Sequence, residues 1–121
     1  MPEGAYQQEA APNCCPYYHE AVELLGRRWT GAIVEVLLQG GALRFSEMAN
    51  AVPELSDRLL SQRLKDLEDR GLVARRDDPG PPPCARYALT PMGRELQPAV
   101  SELKAWGRRW LDTTEGHFGP V

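Results

Sequence analysis

The sequence predicts a single, mainly α-helical domain that carries one small β-hairpin. A length of 121 residues suits one domain. Apolar residues recur at helical spacing in several segments, and the stretch DDPGPPPCA separates two short strand-like segments. This stretch can be neither helix nor central strand, because proline lacks the backbone N–H that both require. The 42% hydrophobic content is too high for a disordered chain, and no apolar run approaches the roughly 20 residues of a membrane span.

The N-terminal part of the chain contains start and stop signals for a tail and three helices. Proline is favoured at the first position of a helix, serine at the N-cap and glycine just after the last residue. Leu43–Phe45, between the second and third helices, is too short to predict a strand. The signals give a flexible tail over residues 1–13, a helix over Tyr17–Leu25 opened by Pro16 and ended by Gly26, a helix from about Trp29 to Leu38 ended by Gly40 and Gly41, and a short helix capped by Ser46 that ends before Pro53.

The fourth predicted helix has the clearest boundaries and the clearest buried stripe. Ser56 is a favourable N-cap with Asp57 in the first turn, and the helix runs to Arg70 before Gly71. At about 100° per residue, three leucines fall within about 60° of one another. The face that we expect to be buried therefore consists of Leu60, Leu64 and Leu67.

The C-terminal part predicts two strands around the proline-rich loop and a last long helix. Thr90 is a favourable N-cap for this helix. Pro98 requires a break or kink in it, because proline has no backbone N–H and so removes a hydrogen bond. With these elements the domain spans residues 14–111. The elements are a strand over Val73–Asp77, a returning strand over Arg86–Leu89, a helix from Pro91 to about Leu111, and a tail over residues 112–121.

This order, a helix-turn-helix pair followed by a two-stranded wing and a further helix, is the winged helix-turn-helix arrangement.

With its leucines inward, the fourth helix turns polar and basic side chains outward, and its acids Asp66, Glu68 and Asp69 gather at the far end. Arg, Gln, Lys and Ser read base edges and hold phosphates in a major groove. An ordinary solvated helix face is the alternative interpretation. The candidate DNA-binding residues of this region are Ser56, Arg58, Ser61, Gln62 and Lys65.

The wing adds three candidate DNA-binding arginines, Arg75, Arg76 and Arg86, around the proline-rich loop. Wings reach phosphates or a minor groove, where the negative potential favours arginine. Alternatively, the same arginines only solvate the hairpin or pair with Asp77 and Asp78. The hairpin by itself leaves both interpretations open.

Charge and cysteine content are compatible with a cytoplasmic protein that contacts nucleic acid locally. The net charge of −3 hides a segregation, because residues 27–109 hold all 14 Lys and Arg but only 11 of the 17 acids. A basic middle between acidic ends is compatible with a local nucleic-acid patch. The first residues have neither a basic start nor an apolar stretch, and three cysteines are too few for a disulfide scaffold.

Three segments of the chain, in order, match a known pattern. They are CPYYHEAVELLGRRWT, RFSEMANAVPELSDRLLSQRLKDLEDRGLVARR and RYALTPMGREL, and the resemblance that they indicate covers about residues 14–110. They resemble the HxlR-type, MarR-like winged-helix transcription regulators, which implies a homodimeric bacterial DNA-binding regulator. Cys84 departs from the family pattern, because relatives often have a basic residue there, and Arg86 stands where an acid is common. The resemblance implies a wing position for Arg86 and recognition-helix positions for Arg58, Ser61, Gln62 and Lys65.

Seven of the nine aromatic residues lie toward the ends of the chain, more than a winged-helix core needs. Trp106 and Trp110 are four residues apart and therefore share one helical face. We expect the first and last helices to pair across a two-fold axis and bury this surface, as the resemblance also implies. Packing within one subunit is the alternative. The candidate dimer or effector interface consists of Tyr17, Tyr18, His19, Trp29, Trp106 and Trp110.

Cys14 and Cys15 precede Pro16 at the start of the first helix, where backbone N–H groups can stabilise a thiolate and favour oxidation. In some members of the family that the chain resembles, a cysteine matching Cys15 is a redox sensor that forms a disulfide between subunits. Two alternatives stay open. Cys84 is a second candidate thiol, and an aromatic pocket between subunits could bind a small apolar effector.

The sequence offers little for catalysis. The histidines His19 and His117 lie near opposite ends, and the CxxC, HExxH, GxGxxG and P-loop patterns are absent. We therefore expect no enzyme activity, no cofactor and no bound metal. The expected partners are double-stranded operator DNA, a second copy of the chain and, optionally, a small-molecule effector, with no membrane. The alternative function is a winged-helix protein–protein interaction module without DNA binding, which would carry an apolar outward face on the fourth helix.

Overall fold

The computed structural model describes residues 11–112, which form six helices and a three-stranded sheet. One compact unit of the chain ends at Gly31, and the other begins at Ala32. The predicted tails over residues 1–13 and 112–121 fall mostly outside the described residues. The elements are α1 (Pro16–Gly26), α2 (Thr30–Gly40), β1 (Leu43–Arg44), α3 (Phe45–Ala51), α4 (Asp57–Asp69), β2 (Val73–Asp78), β3 (Cys84–Leu89), α5 (Pro91–Arg94) and α6 (Gln97–Trp110).

α1 begins where the sequence predicts it. Pro16 lies in the first turn, and Cys15 is the N-cap with an extended backbone. The Cys15 carbonyl accepts a hydrogen bond from the His19 N–H at 3.0 Å, which closes this turn. None of the 11 residues of α1 is buried, and its side chains Tyr17, Tyr18 and Val22 are exposed.

Two predicted helix starts are wrong. α2 begins at Thr30 and not at Trp29, because Trp29 has a φ of 73°, in the left-handed region that an α-helix excludes. α3 begins at Phe45, so Arg44 is its N-cap and Ser46 already lies inside the helix. Arg44 takes the N-cap position because its N–H donates a hydrogen bond to the Glu47 carboxylate at 2.8 Å, which stabilises the helix start without a serine hydroxyl.

α4 has the boundaries that the sequence predicts. The Ser56 hydroxyl accepts a hydrogen bond from the Leu59 N–H at 3.1 Å. At the other end Gly71 has a φ of 87°, a conformation that glycine adopts without steric cost. Leu60 is 1% exposed, Leu64 2% and Leu67 3%, which confirms the predicted buried face.

The strands follow the order β1-β3-β2 and are antiparallel. β2 and β3 are both longer than predicted, because their pairing continues outward to Asp78 opposite Cys84. Only residues 79–83 therefore remain at the tip of the wing. Leu43–Arg44 pairs with β3 and is therefore an edge strand. The sequence did not predict this strand because two residues are too few to show a strand pattern.

One apolar core holds α4 against the sheet and the neighbouring helices. Burying a leucine side chain contributes about 1.5–3 kcal/mol, so the three leucines of α4 bind it firmly to this core. Their burial on one side leaves the opposite side of α4 in solvent. The other apolar core residues are Ile33, Val34, Leu37, Met48, Val52, Leu55, Leu72, Val73 and Leu89.

The predicted last helix is divided into α5 and α6. Thr90 caps α5 by accepting a hydrogen bond from the Gly93 N–H at 3.3 Å, and its hydroxyl donates to the Gly71 carbonyl at 2.6 Å. The helix breaks before Pro98, which lies in the first turn of α6, as the sequence predicts. A Cβ at Gly93 would lie 2.5 Å from the Leu72 carbonyl oxygen, so this close approach of α5 requires glycine.

Candidate nucleic-acid interface

The outward side of α4 carries the polar side chains that the sequence analysis selected for DNA binding. Arg58, Ser61, Gln62 and Lys65 are all exposed. Among residues 11–112, the side chains of Arg58, Ser61 and Gln62 have no hydrogen-bond or ion-pair partner. The donors and acceptors of these three side chains are therefore available to a ligand.

Lys65 and Ser56 are exposed as well, but they have partners within the helix. Lys65 lies 3.3 Å from the Asp69 carboxylate, and both side chains are mostly in solvent. Such an exposed pair contributes little to stability, so a phosphate can replace the carboxylate. The Ser56 oxygen accepts from the backbone as the N-cap, but its hydroxyl hydrogen can still be donated.

The wing arginines are paired with carboxylates. The sequence left this pairing open as the alternative to DNA contact. Arg75 lies 3.1 Å from Asp77, while Arg76 and Arg86 lie 3.4 Å and 3.1 Å from the two oxygens of Asp78. The carboxylate of Asp77 raises the pKa of Arg75, so this side chain stays charged. The wing therefore presents positive charge that is partly neutralised by its own acids.

The sheet register separates these arginines onto two faces. Arg75 is opposite Tyr87, and Arg76 is opposite Arg86. Directly opposed residues of antiparallel strands project to the same face, and successive residues project to opposite faces. Arg75 therefore lies on one face of the wing, and Arg76 and Arg86 on the other.

Arg44, which was not among the predicted DNA-binding residues, lies directly opposite Arg86. Arg44 is exposed and belongs to the two-residue strand β1. No local signal marks it, because its position depends on pairing with residues more than 40 positions later in the chain. Only the folded sheet brings it next to the wing.

The aromatic candidates are found in several environments. Tyr17 and Tyr18 of α1 are 86% and 70% exposed. Trp106 and Trp110 of α6 are 49% and 71% exposed, beside the exposed Leu103. His19 is exposed, while Trp29 is half-buried, with the Arg28 guanidinium 5.3 Å from its ring. Both α1 and α6 therefore present large apolar side chains to solvent.

All three cysteines are free thiols. Cys14 and Cys15 are exposed, and the Cys14 thiol lies 3.6 Å from the Cys15 carbonyl oxygen. Cys84 is half-buried at the outer end of the wing, opposite Asp78. The two thiols at the start of α1 are thus the accessible ones.

In the part of the chain that the structure describes, His, Cys, Asp and Glu side chains form no group of three or more that could hold a metal ion. Over the same residues, no helix combines the length and the apolar character that crossing a membrane requires.

The family model for HxlR-like helix-turn-helix proteins matches residues 24–115. The chain belongs to the HxlR-like helix-turn-helix family. The HTH-type transcriptional regulator YvaP of Bacillus subtilis is 44% identical over 98 residues, which are 81% of this chain and 90% of that protein. The regulator YodB of the same bacterium is 38% identical over 98 residues, 81% of this chain and 87% of YodB.

Solved structures of HxlR-like and MarR-like regulators share the fold. The reduced form of YodB has a TM-score of 0.73 at 37% identity, covering 83% of this chain and 97% of that chain. YodB is also known in a quinone-bound form, with a TM-score of 0.68 at 36% identity, covering 79% of this chain and 100% of that one. The redox regulator HypR in its oxidized form has a TM-score of 0.72 at 33% identity, covering 78% and 96%.

The fold and the family establish a winged helix-turn-helix transcriptional regulator. The relatives are named as regulators of transcription, not as enzymes. The outward side of α4 is polar and basic, whereas a module that binds only proteins would present an apolar surface there. The geometry therefore favours DNA binding over the alternative.

Proposed function

We propose that this HxlR-like regulator binds a pseudo-palindromic DNA operator as a homodimer and places α4 of each subunit in a major groove. The proposal rests on the polar side chains of α4 that lie opposite its buried leucines and have no partner among residues 11–112. A recognition helix contacts bases through the N-terminal part of its outward side, which is where Arg58, Ser61 and Gln62 lie. We also propose a cytoplasmic protein that acts as a repressor, by occupying an operator that overlaps a promoter.

The candidate residues divide by their chemistry. Arg58 and Gln62 match guanine and adenine edges, because both side chains can form bidentate hydrogen bonds to bases. Ser56, Ser61 and Lys65 suit phosphate contacts, which fix the position of α4 in the groove. Arg75, Arg76 and Arg86 suit the phosphates and minor groove beside it, in exchange for the carboxylates that they contact in the free protein.

Exposed aromatic side chains support the homodimer. Each Tyr or Trp can bury about 150–250 Å², and α1 and α6 each leave two of them in solvent. A two-fold axis buries such a surface against its own copy. Two recognition helices then meet half-sites about 34–36 Å apart, one turn of DNA.

The test combines sedimentation of the free protein with selection of bound fragments from genomic DNA. We expect a dimer at micromolar concentration and an enriched sequence with two-fold symmetry. A stable monomer that does not shift any DNA at low salt would contradict the proposal. Trp110→Ala should weaken the dimer, and Arg108→Ala, an exposed change on another face of the same helix, is the matched control.

We further propose that oxidation of Cys15 switches DNA binding. The Cys15 thiol is exposed and lies at the N-cap of α1. HypR, a similar protein, is a redox regulator solved in oxidized and reduced forms. An intersubunit disulfide would move the first helices together and change the spacing of the DNA-reading helices, which the operator fixes. We favour this disulfide over a strained Cys14–Cys15 ring.

Non-reducing electrophoresis and DNA binding after mild oxidant test this switch, with Cys15→Ser against Cys14→Ser as its control. We expect a covalent dimer and lost DNA affinity in wild type and Cys14→Ser, but not in Cys15→Ser. Unchanged affinity of the oxidised wild type would instead favour a small aromatic effector at the exposed aromatic side chains. The quinone-bound form of YodB supports that second candidate, which a quinone titration would detect.

A further inference from the structure

The three strands bring three arginines into one row. Arg44 of β1 is directly opposite Arg86 of β3, and Arg86 is directly opposite Arg76 of β2. Neighbouring strands lie about 4.8 Å apart, so the row extends over about 10 Å. We call Arg44, Arg86 and Arg76 the arginine row.

The arginine row lies on the face of the sheet that turns away from the apolar core. Val73 and Leu89 pair with each other and are 2% and 5% exposed, so their face points into the core. Arg76 and Arg86 each lie three residues away from them along their strands, which places both on the opposite face. Arg75 and its partner Asp77 project to the core side and are separate from the row.

The row carries more positive charge than its surroundings neutralise. Asp78 contacts Arg86 through Nε at 3.1 Å and Arg76 through Nε at 3.4 Å, so one carboxylate serves two guanidinium groups. Among residues 11–112, no carboxylate forms an ion pair with Arg44. Like charges directly opposed on a sheet repel, so the row costs stability unless an anion binds there.

Asp78 contacts both Arg76 and Arg86 at Nε. The planar guanidinium group of an arginine binds phosphate oxygens in pairs. At the other end of the row, Arg44 directly precedes the first residue of α3, which is the helix before the proposed recognition helix.

We propose that the arginine row contacts consecutive phosphates of one DNA strand, with Arg44 as a further binding residue. This inference rests on the proposed DNA binding and deepens it. A row of phosphates is the polyanion that relieves the repulsion among the three guanidinium groups. Such contacts add affinity for every DNA sequence and carry no base preference.

The test measures affinity for the selected operator and for a scrambled duplex between about 50 and 200 mM salt. For Arg44→Gln we expect the slope of log K against log salt to fall by about 0.9, because one fewer counterion is released. Affinity at about 0.1 M salt should fall about eightfold on both duplexes. Arg44→Lys keeps the charge and should restore most of the slope, which a purely structural role of Arg44 would not do.

Arg109→Gln is the matched control, because it removes one exposed arginine from the last turn of α6, away from the sheet. It should leave the slope unchanged, and circular dichroism should show that all variants are folded. An unchanged slope in Arg44→Gln, with a normal slope in wild type, would overturn the arginine row alone. A wild type without salt-dependent binding to either duplex would overturn DNA binding itself.

Discussion

α4 and the wing both present arginines to solvent, but in different states. Arg58 of α4 has no partner among residues 11–112, whereas Arg75, Arg76 and Arg86 of the wing all contact a carboxylate. Reading a base requires a donor at a fixed place that no other group occupies. Holding a phosphate only requires a positive charge that can exchange one anion for another. If the protein binds DNA as proposed, α4 is therefore suited to base-specific contacts and the wing to contacts with any DNA sequence.

The two regions also differ in how they are supported. α4 rests on three leucines that are at most 3% exposed and begins at a hydrogen-bonded N-cap. Beyond Val73, the next four residues of β2 are exposed. A helix fixed by a core can hold donors at defined positions, as base recognition needs. A wing with little buried surface can adjust to the DNA backbone.

Removing the support of α4 should produce the largest effect. Leu64→Ala leaves a cavity in the core and should lower the free energy of unfolding by about 2–5 kcal/mol. Urea unfolding measures this change, with the exposed Ser61→Ala on the same helix as the control. A loss below 1 kcal/mol would mean that the core does not fix α4 in the way described.

Changing the free donors of α4 should produce an intermediate effect confined to DNA recognition. Gln62→Ala and Arg58→Ala should each cost about 1–3 kcal/mol on the preferred operator and relax base choice at one position. Their stability should match wild type because both side chains are exposed. Competition binding with single-base operator variants measures the preference. Wild-type affinity and preference in both variants would show that the recognition-helix assignment is wrong.

Changing an acid of the wing should produce the smallest change in DNA affinity, and it should raise the affinity instead of lowering it. Asp78→Asn removes the carboxylate that partly neutralises Arg76 and Arg86. We expect binding to the operator and to a scrambled duplex to become tighter by a similar, severalfold factor, so the base preference should not change. Fluorescence anisotropy at fixed salt compares the two duplexes. Tighter binding to the operator alone would mean that the wing reads sequence.

Local sequence signals predicted the parts of the fold whose cause is local. The N-cap and C-terminal glycine of α4 need only neighbouring residues, and its leucine stripe follows from helical periodicity, so all three were predicted correctly. The start of α2 was wrong because the left-handed backbone of Trp29 has no signature in its residue type. Ser46 was a reasonable cap by composition, but the chain leaves β1 directly into α3 and the helix starts earlier.

For the candidate interface, the motifs of the chain and helical periodicity were enough to predict the family and the side chains on the outward side of α4. Helical periodicity assigns every residue of a helix to a face as soon as the buried face is known. The folded chain was needed to show which arginines pair with a carboxylate among residues 11–112, that Arg76 and Arg86 share Asp78, and that Arg44 stands beside Arg86. Those facts depend on strand register and on distances between side chains far apart in the chain. Register comes from the packing of the whole sheet and not from any one segment.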